Sequence, residues 1–427
     1  MYKRQKVIVI GCGAGGGTSA QFARKMNRKA EIKIFEKGKN PQYSKCALPF
    51  VLCGEIEAHS IIEFSEDWFK KAKIDLQLDT EVFSIDFEGK IVETDKGSEE
   101  YDALIIATGA IPYSPIETEG KTYFFRTIED VEAIKREVKH AKEAVVVGAG
   151  LIGLEVAEAL KKLGMKVSIV ELMPQILPAM IDQDMASLVR KKIEGEVDIL
   201  LNEGVKEIND GKKMEVVTTN RAIKADFVVI ATGNKPNVSL AKKCEVKKAI
   251  VVDEKCMTSM PDVYACGDCT QYKNIFGNEV VVGLGSIAVR QGMVAGMNAV
   301  GGNEKMPLLL NARTTKIFGL EVAAVGPLQR EFPFQPIIGK FKGSTHPDYM
   351  KGKEIVVKVM GDEEGRICAA QIVGPGASQR INAFALAIHA GMTFDDFSKT
   401  ETAYAPPVSP VIDASTIACD IAKRKQK

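Results

Sequence analysis

An α/β fold is what this sequence predicts, with two doubly wound, parallel-sheet units followed by a smaller α+β piece. Three observations carry the prediction. A β-branched run enters a G-x-G-x-x-G turn at residues 7–16. The same run and turn return at residues 144–153. An acid, an apolar run and Ala-Thr-Gly follow one another twice, at 101–109 and at 225–233. Short, continuous apolar runs of this kind suit strands buried on both faces of a parallel sheet.

Composition narrows the function classes. At roughly 100–200 residues per domain, 427 residues make two to four domains. Lys and Arg number 57 against 56 Asp and Glu, so nothing suggests a nucleic-acid binder. No apolar run approaches the roughly 20 residues that span a bilayer, so no membrane partner is expected. Gly11, Gly13 and Gly15 interrupt the first apolar run too early for a signal-peptide core. Nine cysteines, an odd number spread over a long chain, argue against a disulfide scaffold and for a reducing, cytoplasmic setting. The four histidines show no metal-ligand spacing, so no metal site is expected.

The elements follow in order. Val7-Ile8-Val9-Ile10 feeds Gly11-Cys12-Gly13-Ala14-Gly15-Gly16, a helix is expected over 18–26, and a strand over 30–35 ends in Glu36. This is the order of a dinucleotide-binding unit: glycines admit backbone N–H groups to a pyrophosphate, and the acid meets ribose hydroxyls. The second unit reads Gly148-Ala149-Gly150-Leu151-Ile152-Gly153, with a strand over 166–170 ending in Glu171. Two such units imply two dinucleotides and electron transfer between them. The Glu171 carboxylate would repel a 2′-phosphate, which favours NADH; NADPH stays possible where basic side chains stand nearby. The two Ala-Thr-Gly segments, with Thr108, Gly109 and Gly233, each close one unit. Gly267-Asp268 then precedes a helix expected over 286–295, a position that suits a ribityl hydroxyl.

The joint order resembles the two-dinucleotide flavoprotein disulfide reductases. The resemblance implies two Rossmann-like domains, the first holding FAD and the second NAD(P)H, and a C-terminal α+β dimerisation domain. It implies an FAD-binding domain at 1–113 and 245–317, an NAD(P)H-binding domain at 114–244, and an interface domain at 318–427. It places Asp268 on the flavin ribityl chain and Glu155 near the isoalloxazine, and counts Lys37 and Ser44 with the cofactor-binding residues.

Tyr43-Ser44-Lys45-Cys46-Ala47-Leu48-Pro49-Phe50-Val51-Leu52-Cys53-Gly54 is the segment richest in chemistry. Cys46 stands just before an expected helix that Ser44 would cap and whose first turn tolerates Pro49. A cysteine there, beside Lys45, is expected to form a nucleophilic thiolate. Seven helical steps to Cys53 rise about 10.5 Å, beyond the roughly 7 Å a disulfide allows. Cys53 is therefore expected in the core. Cys266 and Cys269, around Gly267-Asp268, are expected to be packing residues.

Cys46-Ala47-Leu48-Pro49-Phe50 is similar to the signature of single-cysteine members: coenzyme A-disulfide reductases, NADH-dependent persulfide or polysulfide reductases, and NADH oxidases and peroxidases. Residues 174–178, 182–185, 233–237 and 290–292 agree with that group. The resemblance implies that Tyr404, in Tyr404-Ala405-Pro406-Pro407, reaches across a homodimer to the partner's flavin, and that Tyr349 is a second active-site tyrosine. Both are candidate proton donors to a leaving thiolate. Ala14 stands where peroxidase and oxidase members place a His, and His389 reads as an ordinary helix residue. The expected activity is therefore reduction of a small disulfide, coenzyme A-disulfide, persulfide or polysulfide. The alternative is an NADH oxidase with oxygen reduced at the flavin. By position, Thr18, Phe22, Lys25 and Lys45 would hold the substrate. Lys45 replaces the family's Asn, and Ile412-Asp413-Ala414 replaces its Lys-Asp-Pro, which removes a cation and leaves room for a thiol carrier other than coenzyme A. No sulfur-transferase domain is expected beyond Lys427.

Overall fold

Val7, Ile8 and Val9 are fully buried, as a strand covered on both faces requires. They belong to Lys6–Ile10, the middle strand of a parallel five-stranded sheet. Its order is Val263–Ala265, Ala103–Ile106, Lys6–Ile10, Glu31–Phe35, Asp75–Gln77. The computed structural model describes residues 5–281 and 283–426. It divides into two compact units. One takes the described residues of Met1–Tyr113, with Arg126–Val131 and Asn234–Leu309; the other takes Ser114–Phe125, Glu132–Gly233 and Leu310–Lys427.

In the first unit, helix Ala14–Met26 packs on helix Gly285–Asn298 almost backbone to backbone. A Cβ on Gly292 would stand 2.4 Å from the Gly15 carbonyl oxygen, and one on Gly296 would stand 2.0 Å from that of Ser19. The expected first helix starts four residues early, at Ala14, because close packing outweighs the poor helix propensity of Gly15, Gly16 and Gly17.

The second unit repeats the parallel sheet. Its order is Asp198–Leu200, Lys166–Val170, Glu143–Val147, Phe227–Ile230, Thr122–Phe124. It also holds an antiparallel sheet, ordered Arg313–Ile317, Leu320–Val325, Ile367–Val373, Glu354–Gly361, Ile337–Ser344. Helices Ala377–His389 and Ala414–Lys425 share its core, with Phe384, Ala418 and Ala422 fully buried. The sheet thus begins at Arg313, whereas the sequence places the domain boundary at 318.

A buried ammonium ties this sheet to the start of helix Gln183–Lys192. Lys358 Nζ lies 2.9 Å from both Asp182 Oδ2 and Asp184 Oδ1, and the Lys358 side chain is 3% exposed. The Gln371 amide also donates to Asp182 at 2.9 Å. Lys358→Met leaves Asp182 without its cation, while Asp184 keeps Lys340 at 2.7 Å, and is expected to cost about 3 kcal/mol, read by chemical denaturation. An unchanged midpoint would show that the brace carries no stability. Among the described residues, no helix is long and apolar enough to cross a membrane.

Candidate functional site

The two glycine loops are near copies. Gly11 has φ +100° and Gly148 has φ +106°, both in the left-handed region. A Cβ on Gly11 would meet the Ala107 carbonyl oxygen at 2.4 Å, and one on Gly148 would meet that of Ala231 at 2.5 Å. These contacts explain the first glycine of each loop, which the alanine carbonyl of an Ala-Thr-Gly abuts. A Cβ on Gly16 would stand 1.9 Å from the Gly11 oxygen, and one on Gly153 would stand 2.0 Å from the Gly148 oxygen. Gly13 and Gly150, the extended residues capping helices Ala14–Met26 and Leu151–Lys162, have nothing within 4 Å. Each loop is therefore closed toward its strand and open at the helix mouth, where Ala14 and Gly15, or Leu151 and Ile152, begin the helix. Neither helix has an acid in its first turn. Such a mouth fits the pyrophosphate of a dinucleotide.

Each loop is anchored by its acid. Glu36 accepts the Cys12 N–H at 2.6 Å and the Gly38 N–H at 2.8 Å, with Lys37 between, exposed and paired to Glu81. Glu171, 7% exposed, accepts the Ala149 N–H at 2.7 Å and the Met173 N–H at 2.8 Å. Gly109 and Thr108 tie to Asn237: the Asn237 N–H donates to the Gly109 oxygen at 2.9 Å, and the Thr108 hydroxyl donates to the Asn237 oxygen at 2.7 Å. Gly233 has φ +113°.

Asp268 follows Gly267, whose φ is +82° and whose N–H donates to buried Gln291 at 2.9 Å. Sequence reasoning missed its partner. Arg126 Nη2 lies 3.0 Å from Asp268 Oδ2, and the buried Arg126 Nε has no hydrogen-bond partner among the described residues. Arg126 comes from Arg126–Val131, a short insertion into the first unit that carries no motif of its own. A buried guanidinium with an unspent donor marks a place for an anion or an acceptor.

Cys46 is exposed, within the 3₁₀ turn Lys45–Ala47, and helix Leu48–Leu52 follows with Pro49 in its first turn. Ser44 does not cap as expected. Its side chain makes no cap hydrogen bond, because the Ala47 N–H closes the turn on the Ser44 carbonyl at 3.2 Å. Cys53 also departs from expectation: it is half-buried rather than in the core, because the helix ends at Leu52 and Val51 and Leu52 take the buried side. None of the nine cysteines, all among the described residues, forms a disulfide. Cys266 and Cys269 are buried, and burial pushes both thiols up, as packing residues require.

Lys45 keeps exposed surface, yet its ammonium is crowded. Desolvation, and then the Arg126 guanidinium, draw its pKa down, while Glu36, Asp268 and Asp130 oppose them. Of the other candidate substrate residues, Phe22 and Lys25 lie together, with Lys25 Nζ 4.2 Å from the ring centroid. Thr18 is buried, its Cβ 3.2 Å from where a Gly292 Cβ would stand. Arg24, Lys25, Arg28, Lys71 and Lys73 line an open basic groove.

In the second unit, Tyr349 and Tyr404 are 72% and 47% exposed and their side chains are hydrogen-bonded, which holds Tyr349 above the ordinary phenol range. The segment carrying Tyr404 ends at Asp413, which caps helix Ala414–Lys425 and takes a forked pair from Arg380, at 2.7 Å to Nη2. Glu155 accepts the Thr315 hydroxyl at 2.7 Å. His389 ends helix Ala377–His389 and is exposed.

Comparison with known proteins agrees with this geometry. The family model described as pyridine nucleotide-disulphide oxidoreductase matches residues 5–292, and that family's dimerisation domain matches 312–415. The chain is 38% identical to an NADH oxidase of Methanocaldococcus jannaschii, over 98% of this chain and 99% of that one. It is 32% identical to an NAD(P)H sulfur oxidoreductase (CoA-dependent) of Pyrococcus furiosus, over 99% of this chain and all of that one. Among solved structures, an NAD-dependent persulfide reductase from A. fulgidus superposes with a TM-score of 0.93 at 33% identity, covering 99% of this chain and 84% of that one.

Proposed function

Because this chain belongs to the pyridine nucleotide-disulphide oxidoreductases, enzymes that use FAD and NAD(P)H, we propose that it is an NADH-dependent reductase of small sulfur–sulfur bonds, with Cys46 as the reacting thiol. The exposed Cys46 turn, in the same unit as the first glycine loop, is the observation that carries this reading. When bound, NADH and FAD supply two electrons per turnover as a hydride passed from the pyridine ring to the flavin.

We assign the first loop, with Glu36, Lys37, Thr108, Gly109, Arg126, Gly267 and Asp268, to FAD. The second, with Glu171 and Gly233, holds NADH. Both Glu171 oxygens already accept N–H groups, so the acid stands fixed where a 2′-phosphate would have to lie.

The Cys46 thiolate attacks one sulfur of the substrate and forms a mixed disulfide, and the other sulfur leaves as a thiolate. A tyrosine hydroxyl of the Tyr349–Tyr404 pair, brought across a homodimer, protonates the leaving sulfur and regains its proton from water. The incoming electron pair then cleaves the mixed disulfide, which restores the Cys46 thiolate and frees the second thiol after it takes a proton from water. The substrate is anionic, because Lys25 and the basic groove offer cations at the C-terminal end of helix Ala14–Met26, and Lys45 adjoins Cys46 in sequence. A coenzyme A-disulfide, a persulfide or polysulfide meets that description.

The Tyr404 segment carries Val408, Val411 and Ile412, which are 68%, 64% and 57% exposed, and a homodimer would cover them. An odd count of nine cysteines spread over a long chain supports a reducing, cytoplasmic setting. The test is a steady-state panel of disulfides and polysulfide under argon with NADH. Turnover with a sulfur–sulfur substrate is expected, and its absence with every member contradicts the reading. The second reading, an NADH oxidase, is favoured by the Methanocaldococcus relative's name. It predicts oxygen consumption at the same rate in Cys46→Ser.

A further inference from the structure

Helix Leu151–Lys162 carries two faces. Gly153, Leu154, Val156, Ala157 and Leu160 are buried. Ile152, Glu155 and Glu158 recur every three residues as a half-buried stripe, the spacing of neighbours on one helix face. That stripe starts at the open mouth of the second glycine loop. Strand Arg313–Ile317 and the turn after it cover the stripe. The Thr315 hydroxyl donates to Glu155 Oε1 at 2.7 Å, and the Phe318 N–H donates to Glu158 Oε2 at 2.7 Å.

Thr315 is held firmly. Phe318 and Gly319 form a two-residue hairpin turn with φ +47° and +77°, which fixes Thr315 opposite Val322. A carboxylate one turn inside a dinucleotide mouth is thus oriented by a hydroxyl from another sheet. The groups facing the Glu155 carboxyl are that hydroxyl and the Glu158 carboxylate on its own helix, itself paired to Lys162 at 3.1 Å. Strands Glu143–Val147 and Lys166–Val170 pack the same helix.

We propose that Thr315 is a positioning residue for the reductant. It engages one Glu155 oxygen so that the carboxylate accepts the carboxamide N–H of the bound nicotinamide. The proposal rests on the second loop as the NADH site and deepens that reading: it makes the C-terminal sheet part of dinucleotide recognition. Burial pushes the Glu155 carboxyl up, the Thr315 hydroxyl draws it down, and Glu158 adds to the rise. Loss of the hydroxyl removes the contact that orients the carboxylate.

The experiment titrates oxidised, FAD-loaded protein calorimetrically with NAD+ and with 3-acetylpyridine adenine dinucleotide, which lacks the carboxamide N–H. Thr315→Val is expected to weaken NAD+ about fivefold and to leave the analogue unchanged. Thr315→Ser, which keeps the hydroxyl, is expected to bind both as the parent does. The proposal is overturned if Thr315→Val matches the parent, if Thr315→Ser is equally impaired, or if both dinucleotides weaken together. A parent protein that binds neither dinucleotide would instead overturn the assignment of the second loop.

Discussion

Cys46→Ser is expected to abolish sulfur-dependent NADH oxidation, by at least about a thousandfold, while the purified protein stays yellow and is still bleached by NADH. Serine keeps the size of the side chain, and the site is an exposed 3₁₀ turn, so no packing is lost. What is lost is the nucleophile: at neutral pH a hydroxyl is almost wholly protonated. The comparison needs the same preparation assayed under argon with disulfide and under air without it. Retained disulfide turnover in the variant would remove Cys46 from the mechanism.

Gly153→Ala has the second large effect. The added Cβ would stand 2.0 Å from the Gly148 carbonyl oxygen, a backbone atom that cannot swing aside. Either the loop opens or the helix moves off the sheet, and both spoil the helix mouth. Binding of NAD+ is expected to fall by at least about tenfold with the FAD content unchanged, because Gly153 belongs to the second unit. Gly16→Ala is its counterpart: the clash is 1.9 Å with the Gly11 oxygen, and FAD content is the quantity that falls. Equal NAD+ affinity in Gly153→Ala and parent would separate the second loop from the dinucleotide.

What was legible in the sequence is what local backbone chemistry dictates. A glycine loop needs its glycines at set positions, and its acid must end the next strand, so Gly11, Gly16, Glu36 and their repeats at Gly148, Gly153 and Glu171 can be read from spacing alone. The second Ala-Thr-Gly was visible as a repeat, but the contact of its alanine carbonyl with Gly148 needs three dimensions. Arg126 was invisible because its contact with Asp268 spans 142 residues and no pattern surrounds it. Ser44 and Cys53 were misjudged for one cause: the helix after Cys46 is five residues long, so rules for full helices do not apply. Asp413 stood out as an acid without the family's neighbouring lysine, and only the fold supplies its cation, Arg380.

A single-turnover reoxidation experiment tests the central claim most directly. Protein reduced anaerobically with one equivalent of NADH is mixed rapidly with a disulfide, with polysulfide or with air-saturated buffer, and the return of flavin absorbance is followed. The account predicts fast return with one sulfur–sulfur substrate and none with the same substrate in Cys46→Ser. Return with oxygen alone, at the same rate in both proteins, would contradict it.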